Sequence, residues 1–331
     1  MKRLNKKRTI LTFGLSLLAF TLLLLFCLRL MGGRAHEEDT SFVSQADLGN
    51  LETVFFQGRE YMLNPFLRNI LFLGIDVSSQ DIEESSAPRR LGQADAIMLI
   101  TLDDSNQSAK VLHISRDTMT EIASYDIFGQ VYARERGQLA LQHARGRGGH
   151  GSSLAMEQTV SRLLYDLPID AYLALHLDGV ALLTEAVGGV TITMPEDYRH
   201  IDLAFYKGAQ VTLTGEQAKA FVMFRDITTS GANQDRLNRQ QLFITGFFQA
   251  LRAGKDRSFQ EKQVLYALMQ PFLATNLSAE EIWSLLEFDF DVSQTAFLPG
   301  QTHLGERYDE FIVDEEALQE LLIERFYLPH L

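Results

Sequence analysis

From Ile10 to Leu28 the chain runs without a charge and is dominated by Leu, Phe and Ile. As a helix rising 1.5 Å per residue it would extend about 28 Å, close to the thickness of a bilayer core. Lys2, Arg3, Lys6, Lys7 and Arg8 precede it; Arg29 and Arg34 follow, then Glu37, Glu38 and Asp39. The stronger positive flank predicts a cytoplasmic N-terminus. Residues 1–9 then form a cytoplasmic tail, 10–31 a transmembrane helix, and the rest of the chain folds outside, giving a single-pass protein of the cell membrane. A cleaved signal peptide is the competing reading, with an apolar region of only about 7–15 residues that ends at small residues. Here the run is longer, no A-x-A-like site follows, and bulky Phe26 before Cys27 disfavours a lipoprotein site.

Cys27 is the only cysteine, so the outer part has no disulfide. A chain this long can bury an adequate core without one. The formal net charge of −13 argues against a nucleic-acid surface, and any basic site must be local.

Residues 32–64 read as an extracytoplasmic stalk: polar, mixed in charge and without sustained periodicity. Beyond it come three apolar runs, Asn69–Asp76, Ala96–Leu102 and Lys110–Ser115, of the kind that form buried strands. Helical patterns follow over Ser153–Leu164, over Thr214–Phe224 (where Thr214 and Gln217 have capping-box spacing) and over Gln234–Ala253. A capped helix after Ser278, a strand near Thr295–Leu298 and a last helix from about Asp314 complete the reading. The expected fold is one α/β domain over 65–331, a central mixed sheet with helices on both faces, with its core at 69–253 and a C-terminal extension at 254–331.

Polar clusters stand where the strands end. Asp76 closes the first run, Asp95 opens the second, and Arg116 and Asp117 follow the third. Ligands of open α/β sheets bind beyond strand ends, although each of these is also an ordinary strand-end charge. A further cluster holds Arg225 and Asp226, then Asp235, Arg236, Arg239 and Gln240. Arg236 and Arg239 are three apart, hence neighbours in the first turns of a helix, where the dipole also favours an anion. Guanidinium groups bind phosphate through paired hydrogen bonds; a solvated face with local Asp–Arg pairs is the alternative. The loop from Arg145 to Gly151 could cradle an anion or be a flexible turn. No G-x-S-x-G elbow and no Walker A lysine is present.

The order NILFLGID, QADAIMLITLD, VLHISRDT, EAVGGV, LTGEQAKAFVMFRD and QDRLNRQQ resembles the LytR–CpsA–Psr family from about Asn69 to Leu251. That resemblance implies one N-terminal membrane helix and an extracytoplasmic α/β domain. It also implies transfer of a glycopolymer, such as teichoic acid or capsular polysaccharide, from a polyprenyl-pyrophosphate carrier to peptidoglycan. By the same resemblance Arg116, Arg225, Arg236, Arg239 and Gln240 meet the pyrophosphate. Asp76 and Asp95 hold Mg²⁺ (or Mn²⁺), Asp235 belongs to the catalytic set, and an apolar pocket takes the lipid tail. The sequence departs from the family at several basic or special positions: Ser78 and Ser79, Gln93 and Met223 stand where arginines are usual, and Ser115 where proline is usual. Arg89, Arg90 or Arg145 are candidate replacements. A pyrophosphate-lipid binding or envelope-regulatory protein without transfer activity is therefore the second reading. A transcription regulator is disfavoured, since no sizeable part lies in the cytoplasm.

Overall fold

The computed structural model describes residues 53–76, 91–126, 128–224, 232–254, 256–290, 295–305 and 308–330. They belong to one folded unit, Glu52–Leu331. The expected membrane helix over 10–31 lies outside the described residues, among which no helix is long and apolar enough to cross a membrane.

Strands β1 (Thr53–Phe56), β2 (Arg59–Leu63), β3 (Leu67–Ile75), β4 (Ala94–Asp103) and β5 (Ser108–Ile114) are followed by the hairpin β6 (Met119–Tyr125) and β7 (Val131–Gln138). Helices α1 (Leu141–Ala144) and α2 (Gly149–Leu163) lead to β8 (Ala171–His176), α3 (Leu177–Ala186) and the pair β9 (Val190–Thr193) and β10 (Gln210–Leu213). Next come α4 (Gly215–Met223), α5 (Ala232–Ala253) and α6 (Phe259–Met269), then β11 (Leu273–Thr275), α7 (Ala279–Ser284), β12 (Asp289–Phe290) and β13 (Ala296–Phe297). The hairpin β14 (Gly300–Leu304) and β15 (Asp309–Val313), α8 (Glu315–Phe326) and β16 (Tyr327–Pro329) close the described chain.

The three apolar runs became β3, β4 and β5, the middle of a sheet ordered β11-β8-β3-β4-β5-β12, with β13 also on β5. The sheet is mixed. β3 runs parallel to β8, and β4 runs antiparallel to both β3 and β5. The end of β3, the start of β4 and the end of β5 therefore share one edge, which is where Asp76, Asp95 and Arg116 fall.

Alternate side chains of these strands enter two layers. Leu71, Leu73, Ile97 and Leu99 are fully buried with Met156 and Val160 of α2 and Leu318 and Leu322 of α8. Phe72, Ala96 and Met98 face the other way, against α3, α4, α5 and α6. Each fully buried aliphatic side chain contributes about 1.5–3 kcal/mol, so the continuous apolar runs are what make a two-sided sheet stable.

The stalk is shorter than expected. β2 pairs antiparallel with β1 and with the C-terminal β16, which sets Leu63 opposite Tyr327 and Met62 opposite Leu328. Residues 53–64 thus belong to the folded unit rather than to a linker. Their partner lies at the far end of the chain, so local periodicity carries no trace of the pairing. The Gly-rich loop also differs. α2 begins at Gly149, after Gly148 at φ 79°, and the Gly148 N–H is already used by Ser152 Oγ at 2.9 Å. The capping box of Thr214 and Gln217 opens α4 as its spacing predicts.

Candidate active site

The site grows from a reciprocal pairing of Asp76 and Gln93 at the sheet edge. The Asp76 N–H donates to Gln93 O at 3.1 Å, and the Gln93 N–H donates to Asp76 Oδ1 at 2.5 Å. This pairing fixes the first carboxylate beside the start of β4, where Asp95 is the second residue. Burial pushes the Asp76 carboxyl above its usual range. The Gln93 N–H opposes that shift, Asp95 adds to it, and Arg116 opposes it.

Asp95 is the hub. Its Oδ1 pairs with an Arg116 guanidinium nitrogen, and its Oδ2 with Arg236 Nη1 at 2.8 Å. Arg116 also donates to Gln93 Oε1 and lies 3.5 Å from Asp117 Oδ1. Asp117 in turn accepts from Gln138 Nε2 at 2.9 Å, and Gln138 also reaches Asp309 O at 2.9 Å. Backbone bonds from Ala140 to Arg116 O and from Ala94 to Ala140 O tie the Arg116 turn to β4. His143 Nδ1 contacts Gly92 O at 3.0 Å, and burial lowers this histidine to about 4, so it stands neutral. Gln93, Gln138 and His143 are positioning residues whose roles depend on contacts distant in sequence.

Arg236 and Arg239 are not surface residues, contrary to the helix-face expectation: they are 4% and 0% exposed. Arg236 lines a cleft. Arg239, one turn on, points into the protein and donates to Phe221 O at 2.8 Å and Phe224 O at 2.5 Å. Its guanidinium carbon lies 5.7–5.9 Å from the rings of Tyr198, Phe221 and Phe224. Asp235 sits 3.4 Å from Arg239 Nε. Asp235 and Arg239 therefore secure the end of α4 on α5 instead of lining the cleft. Arg225, Arg89 and Arg90 lie outside the described residues, and Arg145 is ion-paired with Glu135.

The cleft takes in about 640 Å³, part of it open to solvent, with Asp76, Asp95, Arg236, Gln240 and Met223 around it and Gly74 and Ala96 also lining it. A Cβ on Gly74 would come within 2.9 Å of the Ala96 Cβ, so glycine avoids a clash there. Gln240 donates to Val222 O at 3.3 Å, while its buried Oε1 has no partner. Phe72, Leu175, Val180, Phe243 and Ile244 line both this cleft and a second space of about 810 Å³, which is lined by apolar and aromatic residues between the sheet and α5. The arrangement is a charged mouth beside an oily chamber, suited to an amphiphile with an anionic head.

A model of the LytR_cpsA_psr family matches residues 62–323. The chain belongs to this family. Among LytR_cpsA_psr relatives, a polyisoprenyl-teichoic acid–peptidoglycan teichoic acid transferase TagU of Bacillus cereus is 29% identical over 238 residues, 71% of this chain and 70% of that one. TagV of Bacillus subtilis, named for the same transfer, is 28% identical over 197 residues, 58% of this chain and 44% of its own. Two solved structures share the fold. Bacillus subtilis TagU has a TM-score of 0.56 at 18% identity, covering 78% of this chain and 94% of its own. TagT bound to LI-WTA has a TM-score of 0.57 at 20% identity, covering 78% and 89%. The mixed α/β fold is that of the LytR_cpsA_psr structures.

Proposed function

We propose that this protein is a membrane-anchored phosphotransferase acting outside the cytoplasm, which moves a glycopolymer from a polyprenyl-pyrophosphate carrier to cell-wall peptidoglycan. The observation that carries the reading is the adjacency of the charged mouth and the apolar chamber, which share five lining residues. The apolar lining of the chamber suits a prenyl chain, and the pyrophosphate then falls among Asp76, Asp95, Arg236 and Gln240. An acceptor hydroxyl attacks the glycan-side phosphorus and gives up its proton to water, a new P–O bond forms, and the bond to the bridging oxygen breaks to leave the prenyl phosphate. Such a reaction needs positioning and charge stabilisation more than covalent help. Arg236 supplies fixed positive charge, and Arg116 holds Asp95.

Mg²⁺ fits the carboxylates in part. Among the described residues no group of three or more His, Cys, Asp or Glu could hold a metal, and Asp95 is paired on both oxygens. Asp76 accepts one N–H, and its carboxyl is raised partly by Asp95. A divalent ion would relieve that repulsion, and Mg²⁺ commonly takes one or two carboxylates together with substrate phosphates. Asp76 is thus the principal expected ligand, with Asp95 contributing. When bound, the ion would neutralise phosphate charge. Carrier binding is expected to fall in EDTA and return with Mg²⁺ or Mn²⁺, and Asp76→Ala should remove that response. Equal affinity with and without chelator would sink the metal assignment.

The deciding experiment is turnover of labelled carrier by the full-length protein with peptidoglycan acceptor. Binding without turnover would favour the second reading, a non-catalytic carrier-binding protein. The double engagement of Asp95, which occupies both described arginines of the mouth, supports that alternative. The anchor over 10–31 and the outward orientation are tested by protease on intact protoplasts; a protected domain would refute the orientation.

A further inference from the structure

We propose that the outward face of α6 rests on the membrane surface beside the apolar chamber. This inference rests on the reading that the chamber holds a prenyl chain.

α6 has two faces of unusual composition for a surface helix. Inward, Leu265 and Met269 join the core cluster, and Met269 lines the chamber together with Leu273 and with Ile282 and Trp283 of α7. Outward, at 100° per residue, one half-turn arc holds Phe259, Gln260, Gln263, Val264, Ala267 and Leu268, all exposed. Phe259, Val264 and Leu268 are 69%, 61% and 45% exposed. That arc carries no charge, in a chain that is 22% charged. The helix's two charged residues, Glu261 and Lys262, fall outside it, and Glu261 is used in the capping box with Ser258. A solvent-facing helix ordinarily turns its charged side outward; an uncharged and mostly apolar outward side is what a helix resting on a bilayer interface presents.

Two further observations select lipid as the occupant. Met269 of this helix and Ile282 and Trp283 of α7 form one wall of the apolar chamber, so the far end of a hydrocarbon chain held there would meet the bilayer beside the uncharged arc. In addition, Lys255, Arg257 and Lys262 outnumber Asp256 and Glu261 over residues 253–263 of an otherwise acidic protein of net charge −13, while Arg252 just before them is paired with Asp289. That local excess complements anionic lipid headgroups. The charged mouth, at the other end of α5 near Arg236, would then be held away from the bilayer for the acceptor to reach.

The test uses the full-length chain in nanodiscs containing anionic lipid, in a Cys27→Ser background. A Val264→Cys variant carries an environment-sensitive fluorophore, and lipids spin-labelled high on the acyl chain act as quenchers. Leu304→Cys is the comparator, because Leu304 is more exposed, at 88%, and apolar, but sits on the β14–β15 hairpin, which packs in the opposite layer. Strong quenching at position 264 with little at 304 is the expected result. Equal quenching at both positions, or none at 264, overturns the proposal. Shielding at 264 from an aqueous quencher without any lipid quenching would assign the face to a protein or to a second copy, and would also overturn it. Titration of the same samples with polyprenyl pyrophosphate separates the two readings: binding without lipid quenching rejects the docking face alone, whereas quenching without binding supports the face and rejects the transferase reading.

Discussion

Arg236 and Arg239 are the same residue type, one turn apart on α5, and both are shut away from solvent, yet they serve different ends. Arg236 meets a carboxylate at the mouth of the cleft; Arg239 meets two backbone carbonyls at the end of α4. Spacing on a helix places both on one side, but it does not say what the opposing surface offers. Where that surface is a sheet edge carrying Asp95, the arginine belongs to the chemistry. Where it is the C-terminal end of another helix, whose last carbonyls lack intrahelical partners, the arginine becomes part of the scaffold.

That comparison breaks most visibly in turnover. Arg236→Ala is expected to lower kcat/KM for the carrier about 100-fold or more, the scale seen when one preorganised charge donor is removed from a transition state. Its melting temperature should change less, because Arg116 still neutralises Asp95. Full activity in this variant, measured beside a thermal melt, would move Arg236 into the scaffold class.

Arg239→Ala should do the converse. It leaves the Phe221 and Phe224 carbonyls without their donor inside the protein, at a cost on the order of 3 kcal/mol in urea unfolding. Burial already disfavours the charged form of Arg239, with Asp235 opposing, so the site is tuned to that one side chain. Arg239→Lys should recover little, since an ammonium cannot fork to two carbonyls. Wild-type stability combined with lost activity in Arg239→Ala would erase the distinction between the two arginines.

How far each was legible follows from the same physics. The strands β3, β4 and β5 were readable because burial on both faces demands unbroken apolar runs, and Asp76, Asp95 and Arg116 were readable as the charges that stop them. The capping boxes are local chemistry and show directly in spacing. β7 escaped notice because Val131–Arg136 is exposed, so no hydrophobic pattern marks it. Gln93, Gln138 and His143 act through partners that only the fold brings close. The burial of Arg239 was hidden for the same reason: nothing in DRLNRQQ reveals that Tyr198 and Phe221 cover it.

The contrast between site and scaffold extends to titrating groups. His113 and His143 are both lowered by burial to about 4, against an ordinary value of 6.5. Their unfolded forms take up protons first, so the neutral rings favour the folded state fully above about pH 6.5, and that contribution fades as pH falls towards 4. The slope is at most about 1.4 kcal/mol per pH unit for each histidine. His113 has no partner on either ring nitrogen and stacks on Phe297 at 5.1 Å. His113→Phe should therefore flatten the stability curve between these limits without altering carrier affinity. His143→Gln should flatten it too, but it also loosens Gly92 and so should weaken carrier binding. Chemical denaturation across pH, paired with a binding isotherm, separates the two.

The smallest effect concerns a cation that is missing from the mouth. Met223 is the last residue of α4, lines the cleft and is 43% exposed. An arginine there would add a third positive charge facing the pyrophosphate, without displacing a buried side chain and at a helix C-terminus that favours cations. Exposure limits its worth to about 1 kcal/mol, or roughly fivefold in affinity, and salt should erode the gain. Met223→Arg is thus expected to tighten carrier binding several-fold at low ionic strength and scarcely at high, whereas Met223→Leu, alike in size, should leave it unchanged. If the arginine variant binds no better at any salt concentration, positive charge at the mouth is not limiting. Affinity would then be set by the apolar chamber, and Arg236 would matter for the reacting phosphorus rather than for holding the lipid.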